Sequence, residues 1–165
     1  MFSSVNELDR FIYDDCVISS FKVNEDSIIL ELDALVVAAT NTQNTNYTNS
    51  YADTATMKFE NAKITDMILA GYKVYDADDN LLEEIPDKTV NEAEFDGIIK
   101  NFEGAYLYRI LQIEKKDDVT KYDLEVEFGS EDAQIQDLRN DTYVISITTT
   151  KSVVSWERYL NRVQQ

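Results

Sequence analysis

Residues 106–128 read Tyr-Leu-Tyr-Arg-Ile-Leu-Gln-Ile-Glu-Lys-Lys-Asp-Asp-Val-Thr-Lys-Tyr-Asp-Leu-Glu-Val-Glu-Phe, and the reading of this stretch decides the fold class. Tyr122, Leu124, Val126 and Phe128 alternate strictly with Lys121, Asp123, Glu125 and Glu127. A period of two puts the first set on one face of a strand and the charged set on the other, which must be wet. In the first half Leu107, Leu111 and Ile113 fall on one face, with Tyr106, Tyr108 and Ile110 on the other. Lys115-Lys116-Asp117-Asp118 between the halves is a turn. The stretch is an antiparallel hairpin.

Upstream, Asn91-Glu92-Ala93-Glu94 combines an N-cap residue with a carboxylate three positions on, and Phe95, Ile98, Ile99 and Phe102 follow at helical spacing. Gly104 stands where a helix ends in the left-handed conformation. Before it, Met57, Phe59, Ile64, Ile68, Tyr72 and Val74 mark strand between Thr56 and Tyr75. Asp76-Ala77-Asp78-Asp79-Asn80 turns the chain, and Leu81 to Ile85 returns until Pro86 ends the strand. A further hairpin pairs Val17, Phe21 and Val23 with Ile28, Leu30 and Leu32 around Asn24-Glu25-Asp26. The apolar parity then shifts at Ala34-Leu35-Val37, which predicts a bulge or a strand covered on both faces.

The flanks are less regular. Ser4-Val5-Asn6-Glu7 has capping-box spacing, and Val5, Leu8, Phe11 and Ile12 predict a short opening helix. Residues 40–51, rich in Asn and Thr, predict a long exposed loop, with an edge-strand extension as the alternative. After a polar connector at 129–141, Tyr143, Ile145 and Ile147 mark a last strand. Ser155 caps a predicted closing helix with Trp156, Tyr159, Leu160 and Val163 as its apolar stripe. The expectation is an α+β, mainly antiparallel β domain: six to eight strands in a sheet, barrel or sandwich, with about three short helices. One proline and four glycines leave no linker, so residues 1–165 read as a single domain.

Charge narrows the partners. With 32 acidic residues against 15 basic, the chain carries −17, which repels nucleic acid and anionic membranes and steers basic proteins inward. Between Asp76 and Glu103 ten carboxylates face only Lys88 and Lys100, so this segment holds −8 of the total. The N-terminal residues have no basic, apolar leader pattern, and the longest apolar run, Leu35 to Ala39, is too short to span a bilayer; the cytoplasm is the expected location.

Candidate chemistry is sparse. The chain has no histidine, which removes Ser-His-Asp and Cys-His machinery and His-containing zinc sites. Cys16, the single cysteine, opens an apolar run and reads as a buried, inert thiol. No phosphate-binding glycine motif occurs, and no cofactor is expected. Asp76, Asp78, Asn80, Glu84 and Asp87 occupy positions 1, 3, 5, 9 and 12 of a calcium loop, but Leu81 stands where the turn needs glycine and strands flank it. A hairpin turn is the simpler reading. Glu125 with Glu127 are the one pair of carboxylates that can be placed on a common face, and Tyr106 with Tyr108 could line a groove. The expected interaction residues are Asp76, Asp78, Asp79, Glu83, Glu84, Glu92 and Glu94, with Tyr47 and Tyr51 from the polar stretch.

The segments ELDRFIYDD (7–15), ILELD (29–33), NTQNTNYTNSYA (41–52) and GYKVYDADDNLLEEIPD (71–87) resemble an uncharacterised group of small acidic proteins from clostridia and related Firmicutes. Some members of that group are labelled as linked to a lantibiotic (subtilin) sensor kinase, yet this chain has neither a phospho-accepting histidine nor an ATP-binding motif. The resemblance implies a shared fold and no catalytic residue. The first expectation for function is therefore a non-enzymatic binding protein, immunity-like, that neutralises a basic partner. The second is a hydrolase or isomerase working with carboxylates and tyrosines in a barrel-type pocket.

Overall fold

The structure, a computed structural model, describes residues 1–128 and 141–160. In chain order the strands begin with β1 (Phe2–Val5), β2 (Phe11–Ile12), β3 (Val17–Val23), β4 (Ser27–Asp33), β5 (Val36–Val37) and β6 (Ser50–Tyr51). They continue with β7 (Ala55–Glu60), β8 (Lys63–Leu69), β9 (Tyr72–Tyr75), β10 (Leu81–Ile85) and β11 (Lys88–Thr89). A 3-10 turn at Glu92–Glu94 leads into the short helix α1 (Phe95–Ile99). Last come β12 (Tyr106–Lys116), β13 (Val119–Glu127), β14 (Thr142–Thr149) and β15 (Lys151–Trp156). The protein is mainly antiparallel β. The described residues form fifteen strands rather than six to eight, many of them very short, and one α-helix rather than three.

Ten strands join in one sheet in the order β1-β15-β7-β4-β3-β12-β13-β14-β8-β11. Its connections force it to fold over. β7 and β8 are joined by residues 61–62 alone, yet stand six places apart in that order, as do β14 and β15, joined by Thr150. Six strand spacings in a flat sheet come to about 29 Å. The three peptide links from Glu60 to Lys63 reach at most about 11 Å. The sheet therefore doubles into two layers, β1-β15-β7-β4-β3 facing β12-β13-β14-β8-β11.

The core lies between the layers. Ile28, Leu30 and Leu32 of β4 and Met57 and Phe59 of β7 are fully buried, as are Leu124 and Val126 of β13 and Ile145 and Ile147 of β14. Phe59 reaches across to Tyr122, with ring centres 6.2 Å apart. Each such side chain contributes about 1.5–3 kcal/mol by leaving water, which is why strict alternation succeeded as a guide here. Phe102 plugs one end, packed on Phe21, Phe128 and Tyr143. Asn91 caps the approach to α1 by accepting the Ala93 N–H. The helix stops sooner than its apolar spacing predicts: Lys100 is the C-cap, so Phe102 lies beyond the helix, and Gly104 takes its positive φ of 88° four residues past the cap rather than at the helix end.

Both flanking helices are corrected to strands. Ser4 pairs with Val154 and Val5 with Val153, so the predicted opening helix is edge strand β1, then a turn at Asn6 (φ 55°) and a single 3-10 turn, Leu8–Arg10. The capping-box residues do meet, since Ser4 Oγ donates to Glu7 Oε1 at 3.0 Å. The rest of that carboxylate accepts from Thr42, though, and long-range pairing overrides the local pattern. Ser155 and Trp156 belong to β15, where Trp156 opposes Phe2 and stacks on it. Val163 of the predicted closing helix, and the connector at 129–140, lie outside the described residues.

Residues 40–51 are not a loose loop. Asn41 is buried and donates to Ser4 Oγ, Asn44 Nδ2 donates to the carbonyls of Val37, Ala38 and Thr48, and Asn49 accepts the Ala39 N–H. Asparagine side chains thus stand in for backbone partners until β6 pairs with β5.

Candidate functional site

The first part of the acidic segment, Asp76 to Asp87, lies in an arm. β8 and β11 pair at the sheet edge through Leu69 and Lys88, and residues 70–87 leave that edge as the separate two-stranded sheet β9–β10. Tyr72 opposes Ile85, Lys73 opposes Glu84 and Tyr75 opposes Leu81, with a bulge between Leu81 and Glu83. The tip is built by Asp76, whose Oδ1 accepts the Asp78 and Asn80 N–H groups at 2.8 and 2.9 Å, while Oδ2 accepts from Asn80 Nδ2. Hydrogen bonds from the Asn80 backbone and side chain hold the Asp76 carboxyl below its ordinary value. At the base Asp87 Oδ1 accepts the Gly71 N–H at 2.6 Å. The Gly71 backbone there lies so close to Ile85, Pro86 and Asp87 that no side chain fits.

Every residue from 77 to 89 is exposed. That includes Leu82 at 64% and Leu81 at 49%, with Ile85 and Tyr75 also open to water. The register sets Leu81 on the face of Tyr75 and Ile85 on the opposite face, with Leu82 at the bulge between Leu81 and Glu83. The same exposed stretch carries Asp78, Asp79, Glu83 and Glu84, of which Glu84 has a distant contact with Lys73 (3.8 Å). Glu92 and Glu94 follow on the exposed 3-10 turn beyond β11.

The expected interaction residues therefore fall into two groups. Asp76, Asp78, Asp79, Glu83, Glu84, Glu92 and Glu94 belong to the arm and the turn after it. Tyr47, exposed at 95%, and half-buried Tyr51 belong to the β2-β5-β6 sheet and its loop. The calcium candidates are spread along the arm: Asp76, Asp78 and Asn80 at the tip, Glu84 midway and Asp87 at the base. Asp87 lies seven residue steps beyond Asn80, about 23 Å of chain when extended. Among the described residues no group of three or more carboxylates and cysteines is placed to hold a metal ion.

The remaining candidates lie on β12 and β13, where Glu125 and Glu127 are half-buried. Glu125 forms a two-pronged pair with Arg109 (2.5 and 2.8 Å), and Tyr106 and Tyr108 are exposed on β12. Cys16 is fully buried, and burial, with the Asp33 charge adding to it, pushes its thiol up to about 12. The sequence marks Leu81 to Ile85 only as the strand that returns from the turn, and not as a binding surface. The adjacent pair Leu81-Leu82, apolar on both parities before two glutamates, is the signal that could have marked them.

No described helix is long and apolar enough to cross a membrane. Compared with known proteins, the chain matches no family model, no curated protein and no solved structure.

Proposed function

We propose that this protein is a non-enzymatic interaction module that receives a basic protein partner on the β9–β10 arm, an immunity-like neutraliser of a basic toxin in its simplest form. The observation that carries this reading is the exposure of three apolar side chains, Leu81, Leu82 and Ile85, on a projecting hairpin that also exposes Asp78, Asp79, Glu83 and Glu84. A two-stranded hairpin without a covering layer is marginal in water, so it gains stability when a partner buries its exposed apolar side chains. Each fully covered leucine or isoleucine would contribute about 1.5–3 kcal/mol. The carboxylate rim supplies long-range steering and selects for a cationic surface.

The test is affinity capture from native lysate with the intact chain, beside one carrying Leu81→Ser, Leu82→Ser and Ile85→Ser and another carrying Glu83→Lys and Glu84→Lys. The expected result is a basic protein held at low salt by the intact chain and released by both variants. Retention of no basic protein, or retention indifferent to the arm, overturns the reading.

A further inference from the structure

A second surface lies at the seam between the layers, where β12 loses its partner. β3 and β12 share a single ladder pair, Val17 with Tyr106, and the last bond of the seam runs from the Leu107 N–H to the Cys16 carbonyl at 3.0 Å. From Arg109 to Lys116 the ladder of β12 goes to β13 alone. Its other edge presents backbone donors and acceptors without a strand to meet them. Residues 8–14 run beside that edge but turn away from it, into a 3-10 turn and into β2, which pairs with β5. The divergence opens a cleft of about 470 Å³, with Asp9, Ile12 and Asp14 on one wall and Tyr108, Arg109 and Ile110 on the other.

Three properties make this edge a receptor rather than a gap. Bulges lie between Leu107 and Arg109 and between Gln112 and Glu114, so Arg109 to Gln112 is a regular stretch held in register with Glu125 to Tyr122. No proline blunts it, and Tyr108, Leu111 and Ile113 are exposed along it. Unprotected edges of this kind accept an added strand. The charges choose the occupant. Arg109 is engaged by Glu125 and Arg10 reaches Glu7 at 3.4 Å, whereas exposed Asp9 and Asp14 have no ion-pair partner among the described residues.

We infer that the β12 edge takes an extended, basic segment of a partner protein as an added strand, with its lysine or arginine side chains directed to Asp9 and Asp14. A second copy of the chain is disfavoured as occupant, because each copy carries −17. This goes beyond the arm proposal, since it names another surface and a backbone mode of binding, and it stands if the arm has no partner.

Hydrogen–deuterium exchange of the full chain tests it with two short peptides of equal charge, one alternating lysine with valine, the other lysine with proline. The lysine–valine peptide is expected to slow exchange of the β12 amides between Arg109 and Gln112 that lie outside the β13 ladder by about tenfold, equivalent to about 1.4 kcal/mol. The lysine–proline peptide, which lacks the valine N–H donors, leaves them unchanged. Asp9→Asn with Asp14→Asn, both exposed and compatible with an unchanged thermal midpoint, weakens the lysine–valine effect. Equal protection by both peptides, protection confined to residues 72–85, or full protection in the double variant overturns the inference. Protection that grows with chain concentration in the absence of peptide also overturns it, by making a second copy the occupant.

Discussion

In hairpin β3–β4, Ile28, Leu30 and Leu32 alternate with polar or half-exposed neighbours and have no accessible surface at all. In hairpin β9–β10, Leu81, Leu82 and Ile85 stand in an equally clear strand, closed by an equally polar turn, and every residue of β10 is exposed. The local chemistry of the two is alike; their surroundings differ. β4 has β3 and β7 on either side and the second layer across from it, whereas β10 has only β9. Alternation fixes the strand and its faces, and a covering layer from elsewhere in the chain decides whether burial follows. The arm is a hairpin whose covering layer is not supplied by the described residues.

The sharpest way to break this comparison is to truncate one leucine from each hairpin. Leu30→Ala leaves a cavity between the layers and should cost about 2–5 kcal/mol in denaturant unfolding. Leu82→Ala should change stability by no more than about 0.5 kcal/mol. Similar losses in both would mean that the arm is packed in solution.

A smaller, local effect is expected at the arm's base. In Gly71→Ala the new methyl meets the backbone of Ile85, Pro86 and Asp87, and such overpacking costs about 1–3 kcal/mol. Exchange of the amides in residues 72–85 should accelerate while those in 28–32 keep their protection. Cys16 gives an independent check, because a thiol pushed up to about 12 and fully buried reacts only when the body opens. Its labelling at neutral pH should speed up in Leu30→Ala and stay unchanged in Gly71→Ala; acceleration in both would couple arm and body.

The mildest effect is in pH. Burial alone raises the Glu7 carboxyl, but hydrogen bonds from Thr42 and Ser4 and the Arg10 charge outweigh it, so the group titrates below its ordinary 4.5. Asp76 is likewise held below 3.8 by its bonds from Asn80. Both contributions are complete above those ordinary values and fade as the pH falls through the depressed folded ones. An NMR titration should show the Thr42 and Asn80 amide signals moving in that acid range, with Thr42→Val bringing the Glu7 midpoint upward. Midpoints at or above the ordinary values would refute the Thr42–Glu7 bonds in the body and the Asp76 turn in the arm separately.

What could be read in advance follows the range of the interactions. The hairpins β3–β4, β9–β10 and β12–β13 and the Asn91 cap depend on neighbours in the chain, and they stand where expected. Ser4 and Ser155 misled because each resembles a cap while its backbone is claimed by a strand remote in sequence, Val154 for Ser4 and Thr56 for Ser155. The acidity of the arm was legible because charge is additive along a sequence. The exposure of Leu81 and Leu82 was not, since period reports a face and not what covers it. The cleft was the least legible feature of all, for it arises from a divergence between residues 8–14 and residues 108–111.

The pairing of β1 with β15 also sets a timetable. Phe2 to Val5 find their ladder partners only at Val153 to Trp156. While the chain is being made, β1 must wait, unpaired, through the synthesis of nearly all the rest of the sheet. Assembly dominated by such distant partners is slow, in the millisecond-to-second range typical of β-rich topologies. Until then β1 and β7 present open strand edges, and the nascent protein is at its most vulnerable to the wrong neighbour before its last strand arrives.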